Sequence, residues 1–211
     1  MRKTTISIPE AAVVSGICFG LFILWSLQAA LSGFPETAFT DSSHAWMLGL
    51  EVVLAAAALL YLYARNFDVR SLYPHPTLRG CLLGIGLFFA SWLIGAVTTF
   101  SIASAEQRQI AEFSYSGLTL VPMVLFAMAN GVYEEVFLLG VLTRGLRGLG
   151  LSLAIGLSLL VRVLYHMYQG PLGMVWVLAV GATLTLGYLY SGSLWPPVFA
   201  HMLWDIVPIF L

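Results

Sequence analysis

The chain has 211 residues, of which 60% are hydrophobic and only 9% are charged, and its formal net charge is −1. Soluble domains carry about 25% charged residues, so this composition excludes an ordinary soluble protein. The apolar residues fall in blocks of about 20, the length that crosses a hydrocarbon core. A transmembrane β-barrel would instead show alternating segments of about 10 residues. The sequence therefore predicts an all-α, polytopic transmembrane helical bundle in a lipid bilayer, with no nucleic-acid partner.

Seven apolar spans are predicted along the chain. The first, Ala11–Leu31, is longer than the 7–15-residue core of a signal peptide, so we expect it to be retained. We expect one membrane domain over residues 1–211, in which 1–117 supply spans without motifs and 118–211 carry the candidate catalytic residues. The spans lie at about 11–31, 45–64, 80–100, 118–142, 150–168, 172–190 and 194–211.

The distribution of Lys and Arg predicts the orientation, because cytoplasmic loops carry an excess of both residues. With the N-terminus in the cytoplasm, only Arg108 of the nine basic residues falls in an outer loop, while Arg162 lies within the fifth span. We therefore expect a cytoplasmic N-terminus. The remaining basic residues, all on the cytoplasmic side, are Arg2, Lys3, Arg65, Arg70, Arg79, Arg144 and Arg147.

Ionisable side chains inside the predicted spans are candidates for function, because each costs about 2.5–3.5 kcal/mol at the bilayer centre. Glu51 stands alone in the second span and is interpreted as structural. The others form three clusters, which a rise of 1.5 Å per residue places at similar depths. One central polar site is predicted, and the alternative is that each cluster is local polar packing between helices. The clustered residues are Glu134, Glu135, Arg162, His166, His201 and Asp205.

The helical spacing of these residues predicts which of them face the same way. Adjacent helical residues point about 100° apart. Glu134 and Glu135 are therefore expected not to aim at one spot, so one carboxylate faces the reaction centre and the other needs a partner elsewhere. His201 and Asp205 are spaced i, i+4 and share a face, as do Arg162 and His166.

The residue types limit the chemistry of the predicted site. Neither the G-x-S-x-G nor the H-E-x-x-H pattern occurs in the sequence. Two possibilities remain open from the residues themselves. A carboxylate or an imidazole can activate water, or the same side chains can hold a metal ion.

Three short stretches, in this order along the chain, resemble a known family. "EEVFLLG", "YH" and "HMLWD" are similar to the motifs Glu-Glu-x-x-x-Arg, Phe-x-x-x-His and His-x-x-x-Asn/Asp of the CPBP family of intramembrane proteases. This family of CAAX-processing and bacteriocin-processing (Abi) proteins includes the Ras-converting CAAX endopeptidase. The resemblance covers about residues 118–208. It implies an intramembrane glutamic endopeptidase with no required metal or other cofactor, acting on a peptide or protein substrate at a prokaryotic inner membrane.

The resemblance also implies roles for individual residues. Glu134 matches the glutamate that activates water, and His166 matches the histidine that shares this water. His201 and Asp205 match the pair that stabilises the oxyanion and orients the substrate. Glu135 matches the second glutamate, for which we infer a structural role. The implied site is a polar cavity between the fourth, fifth and seventh spans, opening toward the cytoplasm.

The chain departs from the family motifs at two positions. Leu139 stands where the family arginine follows the second glutamate, and Arg162 stands where the family phenylalanine precedes the histidine. Without the motif arginine, Glu135 would be a buried carboxylate without a partner in its own helix. Buried charges need partners, and removing one of a pair costs about 3–5 kcal/mol. We therefore predict that Arg162 bridges to Glu135 across helices four and five.

Two other functions remain open at this point. One is a metal-dependent membrane hydrolase with Glu134, His166 and His201 as ligands. The other is a membrane scaffold or bacteriocin-immunity-type protein without catalysis, an interpretation that the missing motif arginine favours.

Overall fold

The computed structural model describes residues 2–103, 113–115 and 117–207 as a helical bundle, which confirms the all-α prediction. Each of the seven predicted spans overlaps one of the α-helices. They are α1 Ile8–Leu31, α2 Asp41–Ala64, α3 Leu78–Ile102, α4 Leu120–Glu135, α5 Leu151–Tyr165, α6 Gly170–Ser191 and α7 Trp195–Ile206.

The helices differ in length. In the described part of the chain, five helical segments are long and apolar enough to cross a membrane. Helix α5 has 15 residues and α7 has 12, fewer than the roughly 20 of a full span. The fifth predicted span ends early because the chain turns at His166 into a 3₁₀ segment, Met167–Gln169. Residues 208–211, the predicted end of the seventh span, lie outside the described residues.

The only strands in the described ranges are the two-residue β1 Thr37–Ala38 and β2 Phe113–Ser114, which pair in parallel. They connect the loop before α2 with the chain before α4. This small pair does not change the all-α class of the bundle.

The basic residues assigned to the cytoplasm gather at one end of the bundle. Lys3 and Arg65 both bind Glu10, and Arg144 binds the 3₁₀ segment Val69–Leu72 through Ser71. The helix order puts Arg2, Arg70, Arg79 and Arg147 at the same end. The orientation relative to the cytoplasm stays a prediction, and Arg108 lies outside the described residues.

Helix α7 is held by close contact with α3. A Cβ atom at Gly84 would lie 2.8 Å from the carbonyl oxygen of Pro196, so only glycine permits this approach. The indole Nε1 of Trp204 donates a hydrogen bond of 2.9 Å to Ser91 Oγ farther along the same interface. These contacts fix the axial position of α7, and therefore that of His201.

Helix α4 continues directly into a π-helix over Val136–Thr143, immediately after the two glutamates. The i→i+5 pattern of a π-helix often occurs at functional sites. The carbonyl of Leu138 accepts hydrogen bonds from Thr143 Oγ1 at 3.0 Å and from Ser158 Oγ at 2.8 Å. Because Ser158 lies on α5, this bond also joins α5 to the π-helix. The fourth predicted span, 118–142, is therefore helical from Leu120 onward and changes from α-helix to π-helix at Val136.

Candidate active site

The predicted pair between Arg162 and Glu135 is present in the structure. Arg162 Nη2 lies 2.8 Å from each carboxylate oxygen of Glu135. The side chains are 3% and 0% exposed, so the ion pair is fully buried between α5 and α4. Helix α6 leaves room for the arginine at Gly181, where a Cβ atom would lie 2.6 Å from Arg162 Cδ. Glu135 therefore receives from α5 the cation that its own helix lacks.

His201 lies between the two glutamates. Its Nδ1 donates a hydrogen bond of 2.6 Å to Glu135 Oε1, and its Nε2 lies 3.6 Å from Glu134 Oε2. Arg162 Nη1 also lies 3.6 Å from Glu134 Oε2. The expectation that Glu134 and Glu135 cannot aim at one spot is therefore wrong. Adjacent helical residues do point apart, but both carboxylates lie against one imidazole ring, Glu135 at Nδ1 and Glu134 at Nε2.

Glu134 is bound by a tyrosine from α5. Tyr165 donates its hydroxyl hydrogen to Glu134 Oε2. The phenol ring is itself held by stacking on Phe19 of α1, with a centroid distance of 4.8 Å. Sequence reasoning did not assign this role, although Tyr165 is the residue directly before His166 and three positions after Arg162. The hydrogen bond to Glu134 thus comes from a neutral donor, and Arg162 lies 3.6 Å from it, whereas Arg162 bonds to Glu135 at 2.8 Å.

His166 has one ring nitrogen in a hydrogen bond, and the other has no hydrogen-bond partner among the described residues. Its Nδ1 lies 2.9 Å from the carbonyl oxygen of Arg162, one turn earlier. A carbonyl can only accept, so Nδ1 carries the hydrogen and Nε2 of the neutral ring keeps its lone pair. Within the described ranges, no hydrogen bond or ion pair joins His166 directly to Glu134. The two are linked through Tyr165, whose ring centroid lies 4.3 Å from that of His166.

Asp205 is connected to the site by an asparagine and by His201. Asn130 Nδ2 donates a hydrogen bond of 2.9 Å to Asp205 Oδ2. His201 Nε2 lies 3.8 Å from Asp205 Oδ1, so the predicted i, i+4 pair is a loose ionic contact. Asn130 was missed by sequence reasoning. Its signal was a buried amide one helical turn before Glu134.

Glu51 adds a fourth carboxyl group near this cluster. It is 3% exposed, and its Oε2 has no hydrogen-bond partner among the described residues. Helix α2 packs against α4, the helix of Glu134, and Glu51 interacts electrostatically with Glu134 and with Asp205 and His201 of α7. A structural role for Glu51 would require a hydrogen-bond partner for this oxygen, and the described residues supply none.

A possible metal-ligand set differs from the predicted one. Glu134, Glu135 and His201 each offer one ligand atom within 4.8 Å of the others, and the set does not include His166. Arg162 is already bound to both oxygens of Glu135. A metal ion here would have to displace or closely approach the guanidinium group.

Replacing Arg162 tests the energetic importance of the buried pair. Arg162→Met leaves Glu135 buried without its counterion and is expected to cost about 3–5 kcal/mol of stability. Thermal unfolding in detergent measures the loss, and Arg162→Lys should retain part of the stability. Arg147→Met is the matched control because Arg147 is exposed and lies outside this cluster. Equal melting temperatures for these two methionine variants would contradict the prediction.

Glu51 gives a stability prediction of the opposite sign. Glu51→Leu removes a buried carboxyl oxygen that has no partner, so we expect stability to rise by about 1–3 kcal/mol. Glu51→Gln leaves a buried polar group in place and should give no comparable gain. Chemical or thermal unfolding of both variants in the same detergent checks this difference. A leucine variant less stable than wild type would show that the carboxyl group stabilises the fold.

The three motifs occur within a recognised family domain. Residues 116–207 match the family described as type II CAAX prenyl endopeptidase Rce1-like. No curated protein and no solved structure matches the chain. The match spans α4, the π-helix, α5, α6 and α7, and so contains Glu134, Glu135, Arg162, His166, His201 and Asp205. Residues 116–207 of this integral membrane protein therefore form an Rce1-like domain of the CPBP family, a family of membrane CAAX proteases.

Proposed function

We propose that this protein is an intramembrane glutamic endopeptidase in which Glu134 and His166 activate the water that attacks a peptide bond. The supporting observation is that the two glutamate carboxylates have different hydrogen-bond partners. Arg162 and His201 both bind Glu135 directly, whereas Glu134 has a direct hydrogen bond only from the Tyr165 hydroxyl. Glu134 thus retains oxygen lone pairs for a water molecule, and its second oxygen has no hydrogen-bond donor among the described residues.

The proposed reaction begins with proton transfer from water to Glu134. The water oxygen attacks the carbonyl carbon of the peptide bond, while the lone pair of His166 Nε2 accepts a hydrogen bond from the same water. Collapse of the tetrahedral intermediate breaks the C–N bond, and the proton held by Glu134 passes to the leaving nitrogen. General acid–base steps of this kind contribute about 10²–10⁴-fold to a rate.

His201 is the proposed donor to the developing oxyanion. Its Nδ1–H is committed to Glu135, which fixes the plane and direction of the ring. When the ring is protonated, Nε2 also carries a hydrogen, and a donor aimed at the oxyanion stabilises the transition state. Asp205, held by Asn130, faces this nitrogen and is proposed to orient the ring and the substrate.

The family membership supports a substrate at the membrane. We propose a peptide or protein segment that enters a polar cavity between α4, α5 and α7 from the cytoplasmic side of a prokaryotic inner membrane. The family is described by its action on prenylated CAAX substrates. Prenylation is therefore a variable for the assay, and a prenylated and an unprenylated peptide of the same sequence form the matched pair.

A metal-dependent hydrolase is the second candidate, supported by the spacing of Glu134, Glu135 and His201. The glutamic mechanism is favoured because Arg162 neutralises Glu135 and places a positive charge where a cation would bind. The third candidate is a membrane scaffold or an immunity protein without catalysis. It is supported by Leu139 at the motif arginine, although Arg162 supplies the missing charge.

Substitutions at the reaction centre test the enzyme proposal. Glu134→Gln and His166→Ala are expected to lower kcat by about 10²–10⁴-fold through loss of acid–base catalysis. His201→Ala should lower it by about 10²–10³-fold through loss of an oxyanion donor. The assay uses the purified protein and quenched fluorescent peptides with and without a prenyl group. Glu36→Gln, an exposed carboxylate outside the cluster, is the control and should retain wild-type activity. Wild-type turnover in all three site variants would overturn the assigned reaction centre. A wild-type cellular phenotype in all three variants, with no hydrolysis by the wild-type protein, would favour the scaffold interpretation instead.

Chelation distinguishes the two hydrolytic candidates. We expect hydrolysis to continue after treatment with EDTA and 1,10-phenanthroline, since the proposed step passes through Glu134 and His166 alone. The readout is the initial rate before and after dialysis against each chelator. A rate that is lost on chelation and restored by zinc would favour the metal-dependent hydrolase.

A further inference from the structure

A polar cavity lies at the basic end of the bundle, separate from the catalytic cluster. Its volume is about 140 Å³, and it lies among the 3₁₀ segment Val69–Leu72, the end of the π-helix and the turn between α6 and α7. Leu194 in its wall precedes His201 by seven residues, which corresponds to about 10 Å along the helix axis. Its polar side chains come from Ser71, Tyr73, His75, Arg144, Tyr188 and Ser193.

The polar side chains that line this cavity are hydrogen-bond donors, and none of them is acidic. None of its eight lining residues is acidic, and its polar side chains are hydroxyl, imidazole and guanidinium groups, all of which can donate hydrogen bonds. Helix α7 begins beside it at Trp195, so the positive end of a helix dipole adds to the same field. The cavity therefore favours a negatively charged ligand.

Arg144 is the central cation of the cavity and has no carboxylate counterion in the described part of the chain. Its Nη1 and Nη2 donate to Ser71 O and Ser71 Oγ at 2.9 and 2.8 Å. Its Nε is buried without a partner among the described residues. Lys3 and Arg65 at the same end differ, because both are neutralised by Glu10. A partly buried guanidinium without a counterion can form charge-assisted hydrogen bonds with an anion.

We propose that the cavity around Arg144 binds a phosphate oxyanion, either of a phospholipid headgroup or of free phosphate. Arginine presents several donors that match phosphate oxygens. A volume of about 140 Å³ is several times the roughly 10–15 Å³ that one water molecule needs, which leaves room for a phosphate group. The cavity lies at the basic end of the bundle, and basic residues near a membrane surface attract anionic lipid.

The test measures binding by the purified full-length chain and needs no hydrolysis. Isothermal titration in detergent uses inorganic phosphate as the first probe. Nanodiscs with and without phosphatidylglycerol, analysed by native mass spectrometry, supply the second. Arg144→Gln is expected to weaken binding at least tenfold. Arg147→Gln loses the same charge three residues later, at an exposed position outside the cavity, and should stay within twofold of wild type.

Each outcome of this test either identifies the bound ligand or overturns the proposal. Binding of phosphatidylglycerol alone assigns a lipid headgroup, and binding of inorganic phosphate alone assigns a free anion. Equal losses in the two arginine variants would reveal only diffuse surface charge and would overturn the proposal. Absence of binding to both probes at physiological salt would overturn it as well.

A second variant covers the case in which Arg144→Gln fails to fold, because Arg144 also ties Ser71 to the bundle. The double variant Tyr73→Phe/His75→Gln removes two polar groups from the cavity lining and leaves both bonds between Arg144 and Ser71 in place. It is expected to bind phosphate at least tenfold more weakly with an unchanged melting temperature. Wild-type affinity in a folded double variant would overturn the proposal.

Discussion

The buried ion pair between Arg162 and Glu135 is the interaction on which the rest of the buried polar cluster depends. It joins α5 to α4 where neither side chain meets solvent. A buried charge without a partner is unfavourable by several kcal/mol, so each residue requires the other to be placed correctly. Once Glu135 is fixed by the guanidinium, it can accept from His201 Nδ1 and set the orientation of that ring on α7. The Glu135 carboxylate of α4 thereby binds side chains from both α5 and α7.

The arginine that pairs with Glu135 comes from α5, and α4 continues beyond Glu135 as a π-helix. An arginine at position 139 would pair with Glu135 by α-helical i, i+4 spacing, but the helix is a π-helix from Val136 onward. Leu139 is fully buried in the apolar core instead. Arg162 reaches the same carboxylate from the neighbouring helix, and Gly181 on α6 provides the space for its side chain. The charge balance is thus preserved although the motif position is apolar.

Sequence patterns could predict the helices and the cluster because both follow from local rules. Apolar blocks of about 20 residues locate the spans, and ionisable residues inside them mark the polar site. The Arg162–Glu135 pair was predictable because buried charge must be balanced. The π-helix was not, since its hydrogen bonds depend on tertiary partners such as Ser158. Tyr165 and Asn130 were missed because their donors matter only when α4, α5 and α7 come together.

The different roles of the two glutamates come from their partners and not from the angle between them. Helix geometry alone predicts divergence, yet both carboxylates reach the edges of His201. Glu135 accepts from the guanidinium and the imidazole, so its charge is balanced and its position is fixed. Glu134 accepts from a neutral phenol, which orients it without neutralising it. With Asp205 and Glu51 nearby, the cluster contains more carboxyl groups than fixed cations. Arg162 binds Glu135 most closely, and in the proposed mechanism Glu134 is therefore the carboxylate that takes a proton from water.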